Sequence, residues 1–318
     1  MRVDVHAHYF PASYIDALAR FGQPGARGAV ARAGPAATLS LDERLALLDQ
    51  VGIDVQVLSV AAAMPYLPDE QQAVAAARLA NDWYADTCAR YPSRFAAFAC
   101  LPLPHVAAAI AEAERALAAP GCVGVTVGCS VAGRQLDDPL FEPLWAALDQ
   151  RAAVVFLHPM GTGVGPALQD YGLRWMLGAP VEDAAAALRL ILAGVTVRYP
   201  HVRVIVPHLG GVLGFLVQRL DDEAQREAVE GVGPRITDPP SAHLRRLWYD
   251  TVNLQPSALR CACDALGGDR LLLGTDFPYL AGAKLERAVR YLDEAGLEPG
   301  VVAAIAGENA RALLGLTG

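Results

Sequence analysis

The chain lacks the features of a nucleic-acid-binding, membrane or exported protein. Its 26 lysines and arginines against 34 aspartates and glutamates give a net charge of -8, whereas a phosphate-binding surface is basic. No apolar run approaches the ~18 residues of a membrane span. Asp4 interrupts any apolar segment of a signal peptide. We therefore expect a protein that binds neither nucleic acid nor a membrane.

Cysteine is scarce and lacks the spacing of a redox or metal motif. None of the six cysteines belongs to a CxxC pair, which predicts reduced, mostly buried thiols in a cytoplasmic protein. Cys261 and Cys263 fall in a predicted helix, where positions i and i+2 point in different directions. We therefore do not expect these two thiols to bind a metal.

Apolar strand-like runs alternate with helical patterns along the whole chain. The eight predicted strands are residues 2–6, 54–60, 95–101, 122–128, 154–158, 202–208, 247–252 and 270–276. The predicted helices are residues 41–51, 69–91, 106–118, 139–151, 181–199, 211–229, 256–266, 285–295 and 299–314. Near-continuous apolar strands are typical of a parallel sheet buried on both faces. The pattern predicts an α/β protein, a (β/α)8 TIM barrel formed as a single domain by residues 1–318; a doubly wound sheet is the alternative.

Two long insertions interrupt this alternation. Residues 9–40 follow strand one, and residues 160–180 follow strand five. Both would leave the barrel at its mouth, so they are candidate substrate-covering loops. A third stretch rich in glycine and proline, residues 231–240, is expected to extend outward.

Four histidines and one aspartate stand at the ends of predicted strands. His6 and His8 end strand one, and their i, i+2 spacing directs both rings to the same side. His158 ends strand five, His208 strand six and Asp276 strand eight. A barrel brings strands one, five, six and eight to one mouth, whereas a doubly wound sheet does not. Imidazoles with a carboxylate suit Zn²⁺, with Mn²⁺ or Fe²⁺ as alternatives.

The other three histidines fall outside this pattern. A single histidine is more often a satisfied core residue or a helix cap than a ligand. We therefore interpret them as structural: His105, His201 and His243.

The motifs at the strand ends resemble those of a known family. The pattern of His-x-His at residues 6–8, His-Pro at 158–159, His-x-Gly-Gly at 208–211 and Gly-Thr-Asp-Phe-Pro at 274–278 is similar to the amidohydrolase superfamily. More specific segments resemble its branch of aminocarboxymuconate-semialdehyde decarboxylase and related aromatic-acid decarboxylases. These are Trp-Met-Leu-Gly-Ala-Pro at residues 175–180 and the segment from His208 to Arg219. The resemblance runs nearly from end to end.

The resemblance implies roles for the clustered residues. His6, His8, His158 and Asp276 would hold one divalent metal, with zinc expected and manganese as the alternative. His208 would lie off the metal and act on its bound water or on the substrate, and Asp276 would share in proton transfer. No organic cofactor is expected.

The resemblance also implies how a substrate would be held. Arg219 would bind a substrate carboxylate, in the active site of a neighbouring subunit if the chain forms a homodimer as family members often do. Trp175 and Phe277 would line the pocket. A second carboxylate-binding arginine belongs to the first insertion, where Arg27 or Arg32 could serve.

One departure from the wider superfamily concerns lysine. Its two-metal hydrolases often carry a carbamylated lysine at the end of strand four. Here strand four ends at Gly128, and the single lysine, Lys284, follows strand eight. A bridging carbamate is therefore not expected, which favours a mononuclear site.

The leading functional hypothesis is a metal-dependent, non-oxidative decarboxylase of a small aromatic or muconate-type carboxylic acid. Carbon–carbon cleavage leaves an electron pair that a metal can help stabilise, and the carbon must then be protonated. The alternative is a hydrolase or hydratase of a lactone, amide or unsaturated acid, which would use the same ligands. A metal-binding scaffold without catalysis is the third possibility.

Overall fold

Eight parallel strands form the centre of the molecule. The computed structural model describes residues 1–23, 25–161, 165–229 and 235–316. The strands are β1 Val3–His8, β2 Val55–Ser59, β3 Phe95–Cys100, β4 Cys122–Gly128, β5 Val154–His158, β6 Arg203–Val206, β7 Trp248–Asp250 and β8 Leu271–Leu272. Each pairs with the next in chain order. The Val5 amide donates to the Leu273 carbonyl at 2.8 Å, and the Asp276 amide to the His6 carbonyl at 2.7 Å. These bonds join the last strand to the first and confirm the predicted (β/α)8 barrel.

Helices surround the sheet and cover its outer face. They are α1 Ala12–Arg20, α2 Gly25–Ala33, α3 Leu41–Val51, α4 Glu70–Arg90, α5 Val106–Leu117, α6 Glu142–Asp149, α7 Ala179–Leu192, α8 Val195–Arg198, α9 Leu213–Val229, α10 Pro240–Leu244, α11 Pro256–Leu266, α12 Ala283–Arg290, α13 Pro299–Ala303 and α14 Asn309–Leu314. The predicted helix at residues 181–199 is divided between α7 and α8, because Gly194 has a φ of +73°.

The first insertion is largely helical rather than irregular. It contains α1, α2 and a 3₁₀ turn at Gly34–Thr38. On α1, Tyr14, Ile15 and Leu18 are buried at helical spacing, so this helix packs one face onto the barrel. In the second insertion, residues 162–164 lie outside the described residues, as do residues 231–234 of the predicted outward stretch.

Apolar side chains fill the barrel, with one polar network among them. Val5, Phe98, Phe156, Ile205 and Leu272 are among the fully buried residues of the interior. On β1 the carboxylate of Asp4 accepts hydrogen bonds from Thr275 Oγ1 and Gln56 Nε2, both at 2.7 Å. Because these donors come from β2 and from the segment after β8, Asp4 ties the first strand to both of its neighbours.

The same network continues to a buried arginine. Arg44 on α3 donates to Gln56 Oε1 at 2.7 Å and to the His8 carbonyl at 2.9 Å. Its side chain is fully buried, and its guanidinium lies 4.7 Å from the centre of the Phe277 ring. This contact fixes the end of β1, where the two histidines stand.

The cysteines agree with the predicted thiols. All six are free, three buried and three half-buried. Within the described ranges, no helix is both long and apolar enough to cross a bilayer. The cytoplasmic location and the single domain stay predictions.

Gly307 offers a test of packing at the start of β1. A Cβ atom at Gly307 would lie 2.0 Å from the Met1 carbonyl oxygen, whereas a Cβ at Gly300, in the same C-terminal helical region, would meet nothing within 4 Å. We expect Gly307→Ala to lower the free energy of unfolding by about 1–3 kcal/mol, as overpacking does. The control Gly300→Ala should be neutral or slightly stabilising. Urea unfolding of both variants measures the difference, and equal stability would contradict the close contact.

Candidate metal centre

Four predicted ligands converge at the mouth of the barrel. His6, His8, His158 and Asp276 each offer one donor atom, and these four atoms lie within 4.8 Å of one another. His6 Nε2 lies 3.2 Å from His8 Nε2 and 3.3 Å from Asp276 Oδ1. His8 Nε2 lies 2.9 Å from the same oxygen. A tetrahedral ion with bonds of about 2.1 Å has ligand atoms about 3.4 Å apart, so the spacing fits one divalent metal.

Contacts behind the histidines aim one nitrogen of each ring at the cluster. His6 Nδ1 lies 2.6 Å from Asp250 Oδ2, and His158 Nδ1 lies 2.9 Å from the Pro159 carbonyl oxygen. His8 Nδ1 is 3.5 Å from Ser59 Oγ. Because the outer nitrogens of His6 and His158 have partners, their Nε2 atoms are left for a metal. Such outer contacts orient the ligands of many metal sites.

The electrostatics of the cluster favour mostly neutral imidazoles. Burial lowers the pKa of His8 to about 4 and that of His158 well below its usual value. Burial also opposes the charged form of His6, but Asp250 and Asp276 outweigh it and raise its pKa to about 10. Burial raises the pKa of Asp276, yet hydrogen bonds from His6 and His8 hold it well below the usual value. The donor set therefore contains one ionised carboxylate, as metal ligation requires.

His208 lies beside the cluster but outside the four donors. Its ring centre is 5.4 Å from that of His6, and its Nδ1 lies 2.7 Å from Asp183 Oδ2. The His208 amide donates to Asp250 Oδ1 at 2.9 Å, and its φ of +56° is in the left-handed region. Burial lowers the pKa of His208, but the charge of Asp183 outweighs it and raises the pKa overall. A strained residue whose amide and ring are each held by a carboxylate is typical of a functional site.

An arginine and two aromatic rings cover the mouth. The guanidinium of Arg32, on α2, lies 4.0 Å from the centre of the Trp175 ring and 5.6 Å from that of Tyr279. The Tyr279 ring lies 5.1 Å from His8. Burial raises the pKa of Tyr279 to about 12, although the charge of Arg32 opposes this. Trp175 therefore lies where the two insertions meet, and its contact with a substrate stays a prediction.

Of the two candidate arginines in the first insertion, only Arg32 lies at this mouth. Arg27 pairs with Asp16 at 3.1 Å on the surface, and both side chains are exposed. The structure therefore separates the two arginines that the sequence left as alternatives.

The two remaining predicted substrate contacts lie elsewhere. Phe277 is fully buried in the core beneath the mouth, against Arg44. Tyr279, two residues later, is the aromatic side chain beside His8. Arg219 is exposed on α9, six residues after the helix begins at Leu213, or about 9 Å along its axis. These placements give no support to a substrate contact by Phe277, and Arg219 stays a prediction.

The histidines interpreted as structural lie away from the centre. His105 Nε2 lies 2.9 Å from the Leu67 carbonyl oxygen, and His201 pairs with Asp149 on the surface. His243 is buried on α10.

Sequence reasoning missed three residues of the site. Asp250 ends β7, so an acidic residue at a strand terminus was an available signal. Asp183 lies near the start of α7, an alanine-rich helix in which Glu182 is the other acidic residue. Tyr279 follows the Asp-Phe-Pro motif directly. None of the three has a spacing that identifies its histidine partner.

Comparison with known proteins agrees with this geometry. The amidohydrolase family matches residues 3–316. The chain is 31% identical, over 298 residues, to the gamma-resorcylate decarboxylase of Rhizobium sp. (strain MTP-10005), covering 87% of this chain and 88% of the relative. It is 27% identical, over 300 residues, to the 2-amino-3-carboxymuconate-6-semialdehyde decarboxylase of Dictyostelium discoideum, covering 89% and 83%. The crystal structure of 5-carboxyvanillate decarboxylase from Sphingomonas paucimobilis superposes with a TM-score of 0.90, at 26% identity, over 99% of both chains.

Proposed function

This chain belongs to the amidohydrolase family, and we propose that it is a metal-dependent, non-oxidative decarboxylase of a small aromatic or muconate-type carboxylic acid. The observation that carries the proposal is one cluster of four donors with His208 beside it. The alignments with relatives named as decarboxylases cover most of each relative and most of this chain. They support a carbon–carbon lyase over other reactions of the family.

The donor set suits one divalent metal. Three imidazoles and a carboxylate whose donor atoms lie within 4.8 Å of one another favour Zn²⁺, and Mn²⁺ accepts the same donors. His6, His8, His158 and Asp276 would hold the ion. When bound, it would withdraw electron density from a substrate oxygen and so stabilise the charge left by departing CO₂.

The protein's own residues supply the remaining steps. Asp183 accepts a hydrogen bond from His208 Nδ1 and stabilises the imidazolium form, so Nε2 is the nitrogen that would deliver a proton to the carbon that loses CO₂. Arg32 would bind a negatively charged substituent of the substrate, and its guanidinium lies over the ring of Trp175, which would help to position it. Together these two side chains would also limit the entry of water at the mouth.

A panel of substrates tests this proposal against a hydrolase. The metal-loaded protein is incubated with hydroxybenzoic acids, a carboxymuconate semialdehyde and a set of lactones. We expect CO₂ release from at least one of the acids and no ring opening of the lactones. Lactone or amide hydrolysis without CO₂ release would favour the alternative function.

A second copy of the chain is the partner that we propose for the mouth. Tyr171, Met176 and Phe215 are 91%, 72% and 85% exposed. Large apolar side chains exposed on a surface often mark an interaction site. Phe215 and Arg219 lie four residues apart, on one face of α9. A homodimer that buries this face would direct Arg219 toward the neighbouring site.

The role of Arg219 can be tested by a conservative change. A guanidinium can bind a carboxylate through two parallel hydrogen bonds, which an ammonium cannot match. We expect Arg219→Lys to raise KM about tenfold or more, corresponding to the loss of one charge-assisted hydrogen bond. Metal content and unfolding should stay unchanged, because this exposed residue supports neither. An unchanged KM would show that Arg219 does not bind the substrate carboxylate.

Mixed dimers test whether the two subunits share a site. Arg219→Ala chains and His208→Ala chains are each expected to be inactive alone. A mixed dimer would contain one intact site if Arg219 and His208 come from different chains, so activity should reappear. If mixed dimers form, as shown by native mass spectrometry, and no activity returns, then the site is not shared.

A further inference from the structure

Asp183 is a fully buried carboxylate, and each of its oxygens has its own partner. Oδ2 lies 2.7 Å from His208 Nδ1, and Oδ1 lies 3.4 Å from the thiol of Cys129. The side chain has no exposed surface. Because the histidine and the cysteine approach different oxygens, the plane of the carboxylate is fixed. A carboxylate can only accept hydrogen bonds, so the proton of this pair belongs to Nδ1.

Close backbone packing brings Asp183 to His208. A Cβ atom at Gly211 would lie 1.9 Å from the Pro180 carbonyl oxygen, and Gly211 has a φ of +63°. The start of α7 therefore lies directly against the turn that follows His208. Only glycine permits this approach, and it places the fifth residue of α7 within hydrogen-bond reach of the imidazole.

A second carboxylate fixes the other end of His208. Asp250 accepts from the His208 amide at 2.9 Å and also contacts His6 Nδ1 at 2.6 Å. The backbone of His208 is thus tied to the residue that orients a predicted metal ligand. With the amide held by Asp250 and Nδ1 held by Asp183, Nε2 is the ring nitrogen left for the site.

We propose that Asp183 is a positioning residue that keeps a proton on Nδ1 of His208 and thereby presents Nε2 to the substrate. This inference rests on the proposed function for the identity of the reaction. The competing role for Asp183 is a purely structural one, in which it only holds α7 against the barrel.

The variant Asp183→Asn separates the two roles. Asparagine has the same shape, but its amide group can donate to Nδ1 and so favour the opposite tautomer. The loss of a tautomer-fixing aspartate lowers kcat by up to about 10⁴-fold in a catalytic triad, and we expect a loss of about 10²–10³-fold here. KM should change by less than about threefold, because the substrate contacts remain. Metal content should stay at the wild-type value.

A double-mutant cycle shows whether Asp183 acts through His208. In a His208→Ala background, Asp183→Asn should reduce kcat by less than about twofold, because residues that act as a unit are not additive. A structural role would lower kcat by a similar factor in both backgrounds. Asp149→Asn is the matched control, since Asp149 pairs with His201 at 3.1 Å on the surface. This control should leave kcat unchanged.

The tautomer can also be read without turnover. Nitrogen-15 NMR of the metal-loaded wild-type protein should show His208 protonated at Nδ1, and Asp183→Asn should shift the proton to Nε2. A wild-type ring protonated only at Nε2 would overturn the inference, even if the variant does not fold. So would an unchanged kcat in Asp183→Asn. If the wild-type protein decarboxylates no acid, then the proposed function fails, and the tautomer measurement still decides the role of Asp183.

Discussion

Replacing His158 with alanine is expected to remove most of the bound metal and at least about 10³-fold of the activity together. His158 contributes one of four donor atoms that lie within 4.8 Å of one another, and a catalytic metal is held by few protein ligands. The remaining donors would bind a divalent ion much more weakly. Elemental analysis of the purified variant, together with turnover of the best acid from the panel, measures both effects.

A second histidine variant controls for this result. His201 is exposed and pairs with Asp149 away from the barrel mouth, so His201→Ala should keep the wild-type metal content and turnover. Restored activity of His158→Ala at high zinc concentration would agree with a weakened site. Full activity of His158→Ala without metal would contradict the ligand assignment, as would two metals per chain in the wild-type protein.

Replacing His208 should also remove the turnover but, unlike the replacement of His158, should leave the metal bound. The ring of His208 is bonded to Asp183 and is not one of the four donors. We expect a loss of about 10²–10⁴-fold in kcat, the usual range for a general acid–base group. Metal analysis and steady-state kinetics of His208→Ala measure the two quantities.

A second variant at position 208 controls for strain in the backbone. Its φ of +56° is tolerated better by asparagine than by alanine. His208→Asn therefore separates loss of the imidazole from backbone strain, and it should be as inactive as His208→Ala while more stable. Loss of the metal from both variants would make His208 a ligand and contradict its assignment.

The metal ligands were predictable from the sequence because strand geometry is periodic. His6 and His8 share one side of β1 by their spacing, and His158 ends an apolar strand. A barrel brings such strand ends together without any knowledge of side-chain contacts. Local pattern and topology therefore predicted the fold and a cluster of four histidines and one aspartate, whereas the separation of His208 from the other four came from the family resemblance.

The residues behind the ligands were not predictable in the same way. Asp250 meets His6 across 244 positions of sequence, and Asp183 meets His208 across 25. These contacts depend on how α7 and β7 pack, which no single periodic pattern encodes. The sequence predicted Phe277 beside the site, whereas the structure has Tyr279 there. Asp276 has a φ of +58°, which interrupts the alternation of a regular strand.

The helical first insertion shows a different limit. Its glycine-rich middle, around residues 22–34, favoured a loop. The structure instead forms α2 there, with Ala26, Ala29 and Ala33 buried along one side of the helix. Tertiary burial outweighs the low helix propensity of glycine, which costs about 1 kcal/mol per residue. As a result, Arg32 lies on a helix over the mouth rather than on an extended loop.

The most direct test of metal-dependent, non-oxidative decarboxylation is product analysis in deuterium oxide, in the absence of oxygen, with the metal-loaded protein and an acid from the panel that it decarboxylates. We expect one CO₂ released per phenol or decarboxylated muconate formed, with one deuterium at the carbon that carried the carboxylate. A chelator should abolish both products, and added Zn²⁺ or Mn²⁺ should restore them. CO₂ release that requires oxygen, or that survives complete removal of the metal, would contradict a metal-dependent, non-oxidative decarboxylase.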